Sequence, residues 1–184
     1  MIVIAAAVAA LLLLWVVWSY NRLVRVRNES EQGWANIDVQ LKRRFDLVPN
    51  LVETVKGYAA HEKGVFEEVT KARTAVAAAA KGDDVPAKAA ADAELSQALV
   101  KVNAVAEAYP DLKANTNFLE LQKQLAETEN QISFARQYYN DAVATLNKLT
   151  QTIPWMFVTG IAKVHKRDFY DAPDGQDVAP TVSF

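Results

Sequence analysis

FLELQKQLAETENQISFARQYYNDAVATLNKL, residues 118–149, decides the fold class. Phe118, Leu121, Leu125, Thr128, Ile132, Ala135, Tyr139, Ala142, Leu146 and Leu149 recur in steps of three and four. That spacing lines one face of an α-helix. A seam this long is what a helix needs to pack against neighbours at a shallow angle. Glu120, Lys123, Gln124, Glu127 and Lys148 fall on the polar face. Asn115, Thr116 or Asn117 is expected to cap the start, and the helix is expected to stop around residues 150–153. Pro154 follows there, and a proline disfavours helical backbone in the residue before it.

Working outward toward the N-terminus, Tyr109 and Pro110 end a shorter helix over about residues 87–108, with Leu95, Leu99, Val102 and Val105 on its apolar side. Residues 81–86, Lys-Gly-Asp-Asp-Val-Pro, read as a turn. Before it, Ile37, Leu41, Phe45, Val48, Val52, Val55 and Ala59 form a second stripe, broadened by Trp34, Leu51 and Tyr58. Pro49 lies inside this stripe. A proline within a helix removes one hydrogen bond and clashes with the preceding turn. A kink near residues 46–49 is therefore expected, with helix on both sides reaching about Ala80. Short connections between long helices predict antiparallel neighbours.

Residues 2–18 contain no charged side chain. With Ser19 and Tyr20 the run extends about 28 Å as a helix, close to a hydrocarbon core of about 30 Å. Trp15, Trp18 and Tyr20 gather at one end, where amphipathic rings sit among headgroups, and Arg22, Arg25 and Arg27 follow. A cleaved signal peptide wants a positive start and small residues at its exit. Neither is present, so a retained transmembrane helix is expected. Three arginines after the span, against only the α-amine before it, predict the N-terminus outside and the following domain in the cytoplasm. Ala5, Ala6, Ala9 and Ala10 place small residues four apart, a spacing that permits close helix association.

Beyond Pro154 the periodicity fails. Trp155, Met156, Phe157, Val158 and Ile161 are too apolar to remain free and are expected to dock on the helices or on the membrane surface. Pro173, Gly175 and Pro180 mark an extended tail, with Val182 and Phe184 as candidates for docking. The expectation is all-α: a single transmembrane helix at 1–20, an antiparallel up-down bundle of long helices at 21–163, and an extended C-terminal tail at 164–184.

Composition limits the function. Twenty basic and twenty-two acidic side chains leave a formal charge of −2, which argues against nucleic acid as a partner. The absence of cysteine removes disulfides, thiolate metal sites and thiol nucleophiles together.

Several blocks also carry a family resemblance. Residues 20–24 read Tyr-Asn-Arg-Leu-Val, and Trp34 precedes Ile-Asp-Val-Gln-Leu-Lys-Arg-Arg at 37–44. Asp-Leu-Val-Pro-Asn-Leu-Val occupies 46–52, and Val-Lys-Gly-Tyr-Ala occupies 55–59 before His61 and Glu62. Ala-Glu-Ala-Tyr-Pro-Asp-Leu-Lys-Ala-Asn follows at 106–115, Asn-Phe-Leu at 117–119, and Ala-Arg-Gln-Tyr-Tyr-Asn at 135–140. Over residues 20–154 the chain resembles the LemA family of bacterial membrane proteins. The resemblance implies a helical, membrane-anchored envelope protein with no settled catalytic activity.

The candidate chemistry is sparse. His61-Glu62 begins the H-E-x-x-H zinc pattern, but Val65 stands where the second histidine belongs, and His165 is distant. No di-metal Glu-x-x-His pair, phosphate-cradling loop or nucleophile–base pair is legible. Neither a cofactor nor a small-molecule substrate is therefore expected. Asp38, Lys42, Arg43, Arg44 and Asp46 form the densest charge cluster, with Asp38 and Lys42 spaced for an ion pair. About twenty helical residues, or about 30 Å, separate Arg43 from the expected membrane edge. That exceeds a Debye length of about 8 Å and argues against lipid contact. Arg44 is expected to pair with an acid of the last helix, Glu127 or Glu129. Asn50, Asn115, Asn117, Asn130 and Asn140 are either caps or members of a buried polar network.

The sequence thus predicts a non-enzymatic scaffold in the bacterial inner membrane, held in lipid by residues 2–20. Arg43, Arg44, Asp46, Asn50, Lys56 and His61 are its expected contacts for protein partners. The alternatives are a homo-oligomer whose spans assemble as a ring or pore, and an enzyme of unrecognised type. The lack of polar side chains in the span argues against an ion channel.

Overall fold

We describe residues 1–170 of a computed structural model of the chain. Six α-helices follow in order: α1 Ile2–Lys56, α2 Lys63–Ala79, α3 Val85–Ala108, α4 Pro110–Lys113, α5 Thr116–Gln151 and α6 Thr159–Ala162. A 3-10 turn, Trp155–Phe157, precedes α6, and no strand occurs among the described residues. The all-helical expectation holds, and α1 is the one described helix long and apolar enough to cross a membrane.

Helix continues on both sides of Pro49, as expected, but it does not run on to Ala80: a break falls at residues 57–62. At Pro49 the helix is helped by a substitute donor. Proline leaves the carbonyl four residues earlier, that of Phe45, without its helical N–H. Arg73 Nε of α2 donates to Phe45 O at 3.3 Å, and its guanidinium stacks 4.0 Å over the Phe45 ring. At Gly57, a poor helix former, α1 tightens into a turn in which Tyr58 and Ala59 N–H both donate to Val55 O.

The other boundaries follow from capping. Asp84 caps α3 by accepting from Ala87 N at 3.0 Å, with Pro86 in the first turn, where its missing N–H is harmless. Asn115 caps α5, accepting from Phe118 N at 3.0 Å, so of the three expected cap residues it is the one that acts. Lys163 ends α6 in the left-handed region at φ 51. Val164 N–H reaches back to Thr159 O at 3.0 Å, and the Val164 side chain is buried. This is the Schellman arrangement, with a lysine where glycine is commonest.

The chain divides into two compact units. The first joins Met1–Ile37 to Phe134–Phe169. Its core is Leu23, Val26, Leu146, Leu149, Val158, Ala162 and Val164. Further along the same helices Gly33 lets the backbones approach: a Cβ there would stand 3.0 Å from Tyr139 Cα. Residues 164–170 have no regular secondary structure. Their first-unit part is tied down by polar groups. The Asn147 amide donates to Arg167 O and accepts from Arg167 N, both at 2.9 Å, and Tyr139 OH donates to Asp168 O at 2.9 Å.

The second unit takes Asp38–Ser133 with Tyr170. Val48, Leu51, Val52, Val55, Phe66, Val69, Leu95, Val102, Leu112 and Phe118 form its core. The expected stripes therefore do face inward, except Tyr58, which is exposed and whose OH accepts from Asn115 Nδ2 at 2.9 Å. Of the tail expected at 164–184, residues 171–184, with Val182 and Phe184, lie outside the described residues.

Candidate functional site

In the second unit α1 shows two opposite characters. Val39, Arg43, Asp46 and Asn50 fall four, three and four residues apart, and all four are exposed in one row. Beside the row, Lys42 Nζ pairs with Asp46 Oδ2 at 3.2 Å. The expected Asp38–Lys42 pair does not form. Asp38 instead receives Lys88 Nζ of α3 at 3.2 Å.

The reverse face is apolar except for Arg44, which is 2% exposed. Its Nη1 donates to Asp92 Oδ1 at 2.5 Å and to Ser96 Oγ at 2.9 Å, both on α3. Its Nη2 pairs with Glu129 of α5. Tyr170 OH donates to Asp92 Oδ2 at 3.3 Å. One guanidinium thus meets acids from two helices, each through a different nitrogen, which its several donors permit. The expected pairing with Glu129 is present. Burial removes Arg44 from any surface a partner could touch, which corrects its place among the contact residues.

The remaining candidates separate. Lys56 ends α1 with Nζ 5.5 Å from the Phe66 ring centroid, and His61 is exposed in the turn at 57–62. Asn50, Asn117 and Asn130 are exposed. The buried polar network is built instead by Arg44, Asp92, Ser96 and Tyr170, three of which sequence reasoning missed. A signal existed: Lys88 and Asp92 extend the stripe Leu95, Leu99, Val102 backward in helical steps, and Arg44 lies on the stripe Leu41, Val48, Leu51. Charges at core positions on facing helices announce a buried pair.

Two open cavities flank this cluster. One, of about 390 Å³, is lined by Leu41, Phe45, Val76 and Ala80, with Asp38 and Lys88 at its polar side. The other, of about 690 Å³, is lined by Leu51, Leu99, Leu125 and Val100, with Arg44 and Glu129. The charges beside them are already neutralised by one another. No group of three metal-ligating side chains occurs among the described residues. The Tyr139 hydroxyl in the first unit is pushed above its ordinary value of 10.0, mainly by burial; neighbouring Arg167 opposes this. It holds the chain at Asp168 and faces no cavity described here.

Known proteins place the chain. The LemA family model matches residues 33–184. Two magnetosome proteins of Paramagnetospirillum magneticum, MamQ 1 and MamQ 2, are each 24% identical over 181 residues, covering 86% of this chain and 66% of theirs. MamQ of Magnetospirillum gryphiswaldense is 24% identical over 182 residues, covering 85% of this chain and 66% of its own. The chain thus spans just under two thirds of the length of these relatives. With the family model matching most of its residues, and its long apolar helix marking it as membrane-associated, the chain belongs to the LemA family.

Proposed function

We propose that this protein is a non-enzymatic, membrane-anchored helical scaffold of the bacterial inner membrane, with its N-terminus outside and the helices after the span in the cytoplasm. One observation carries the reading: the same unbroken helix, Ile2–Lys56, bears both the apolar span and the exposed row of Arg43, Asp46 and Asn50. The buried Arg44 cluster clamps the back of that row, which presents its front as a preformed surface and lowers the ordering cost of docking. The partner is a protein whose surface answers Arg43 and Asp46 with opposite charges; His61 and Lys56 add polar contacts at its edge. The arginines after the span support the orientation. That the relatives bear the name of an assembled structure, the magnetosome, rather than of a reaction supports a scaffold.

Photo-crosslinkers placed at Arg43 and Asn50 in intact membranes should give discrete protein adducts identifiable by mass spectrometry. Arg43→Glu should abolish them without changing the melting temperature. Adducts no stronger than those from exposed Lys71 of α2 would refute a docking row. Single cysteines in this cysteine-free chain, labelled from either side of the membrane, check the orientation.

Self-assembly through the span is the second reading. Ala5, Ala6, Ala9 and Ala10 are exposed, so nothing in the described chain covers them. Ala5→Leu with Ala9→Leu should dissolve a defined oligomer; an unchanged stoichiometry would exclude this face.

A further inference from the structure

Where the first unit meets the end of the span it exposes apolar surface that its own packing does not use. The turn after α5 sends Val158, Ala162 and Val164 inward onto Leu23, Val26, Leu146 and Leu149, with Trp155 against them. Ile153, Met156, Phe157 and Ile161 are left facing out at 71%, 43%, 67% and 69% exposure. Four large apolar side chains within nine residues form the kind of patch that marks an interaction surface.

The height of this patch along α1 is fixed by two contacts. The Trp155 and Trp18 ring centroids lie 5.9 Å apart, and Arg27 Nη1 donates to Ala162 O at 3.3 Å. The segment therefore runs beside residues 18–27 of α1, a rise of about 13 Å. Trp18 stands at the end of the apolar run, the level where aromatic rings meet headgroups. The headgroup layer on each face is about 5–7 Å thick, so the patch begins inside it. The charge around it is mostly positive, with Glu31, one turn further along α1, pairing Arg27 and Arg167. Residues 19–28 and 142–167 contain seven Lys or Arg and no Asp or Glu, in a chain where acids outnumber bases 22 to 20. Arg25, Lys148, Lys163 and Lys166 among them are exposed.

We propose that residues 153–161 are a second membrane contact: an interfacial wedge whose Ile153, Met156, Phe157 and Ile161 enter the headgroup–acyl boundary of the bilayer crossed by α1. Arg25, Lys148, Lys163 and Lys166 hold anionic headgroups around it. The pairing of an apolar face with a cationic rim is the chemistry of elements that lie in a membrane interface. Adjacency to the span selects lipid over a protein as the cover. The proposal rests on the reading of residues 2–20 as a span.

The full-length chain in nanodiscs, with phosphatidylcholine alone or with added phosphatidylglycerol, tests it. Leu12→Cys, Phe157→Cys and Val39→Cys each carry one environment-sensitive fluorophore. The label at 157 should shift to the blue, lose quenching by aqueous iodide and gain quenching by lipids spin-labelled near the headgroup. The label at 12 should be quenched by deep spin labels, and that at 39 by iodide alone. Phosphatidylglycerol should increase the blue shift at 157, and Lys163→Glu with Lys166→Glu should remove the increase. Iodide quenching at 157 equal to that at 39, with 12 in lipid, would overturn the wedge and keep the span. A label at 12 untouched by lipid would overturn both. Protection at 157 from both iodide and lipid quenchers would reveal a protein cover and also overturn the wedge, and indifference to phosphatidylglycerol would overturn the headgroup contact.

Discussion

Arg44 takes a position on α1 where a leucine would continue the stripe, and its charge is met by Asp92 and Glu129. Removing one partner of a buried pair leaves the other desolvated and unpaired, which costs about 3–5 kcal/mol. Arg44→Met should therefore lower stability by that order in denaturant titration, because Asp92 stays buried. Arg44→Met with Asp92→Leu should recover much of the loss; if the double variant is as unstable as the sum of its parts, the pair is not coupled. The Tyr139 hydroxyl carries a pH dependence of definite sign. Its folded value is raised by burial, so the protein favours the neutral form, and that preference is complete below the ordinary value of 10.0. It is lost as pH rises through the folded value. The melting temperature should fall more steeply above pH 10 for the parent than for Tyr139→Phe, and equal slopes would show that the hydroxyl is not coupled to folding. The sequence showed part of this: Arg44 was expected to pair with Glu127 or Glu129, and it meets Glu129. Asp92 as its second partner was missed, and Tyr139 read as one more apolar step in a seam, because partners brought by other elements are not encoded locally.

Element boundaries were legible where a capping residue or proline sets them, and the break at residues 57–62 was missed. Asp84, Asn115 and Tyr109-Pro110 mark helix ends through groups within three residues, and these ends fall where expected. At Pro49 helix continues on both sides as expected, and Arg73, twenty-eight residues beyond Phe45, donates to the Phe45 carbonyl that proline leaves open. Arg73→Ala should cost about 1 kcal/mol, the net value of such a bond, plus a similar amount for the lost ring contact. In a Pro49→Ala background the restored N–H satisfies Phe45 O, so the same substitution should cost less. Additive thermal shifts would refute the substitute-donor account. Gly33 poses the converse case. Glycine to alanine inside a helix ordinarily gains up to about 1 kcal/mol, yet a Cβ at Gly33 meets Tyr139 backbone at 3.0 Å. Gly33→Ala should destabilise by about 1–3 kcal/mol through overpacking. At Gly57, whose nearest neighbour would be Thr54 O at 3.4 Å, alanine should be tolerated. A stabilised Gly33→Ala protein would contradict the close approach of α1 and α5.

For the whole molecule, the long apolar run and the periodic seams made the helical class, and one helix long and apolar enough to cross a membrane, readable from the sequence. The division into two compact units was not, because no break in composition marks residue 37 or 134; both lie inside continuous helices. The full-length chain should remain in the membrane pellet through high-salt and alkaline carbonate washes. Val8→Arg with Leu11→Arg should release it, since each arginine near a span's centre costs about 3 kcal/mol on insertion. Parent protein appearing in the wash would remove the anchor. The candidate surface was only half legible: Arg43, Asp46 and Asn50 do share a face, whereas Arg44 faces away from them, a difference of one residue and a hundred degrees. The clamp behind that face constrains inheritance as well as folding. One guanidinium serves a buried carboxylate on α3 and a half-exposed one on α5, so substitutions at positions 44 or 92 should not be neutral alone, and in descendants of this gene those two should drift as a pair or not at all, with 129 freer to change.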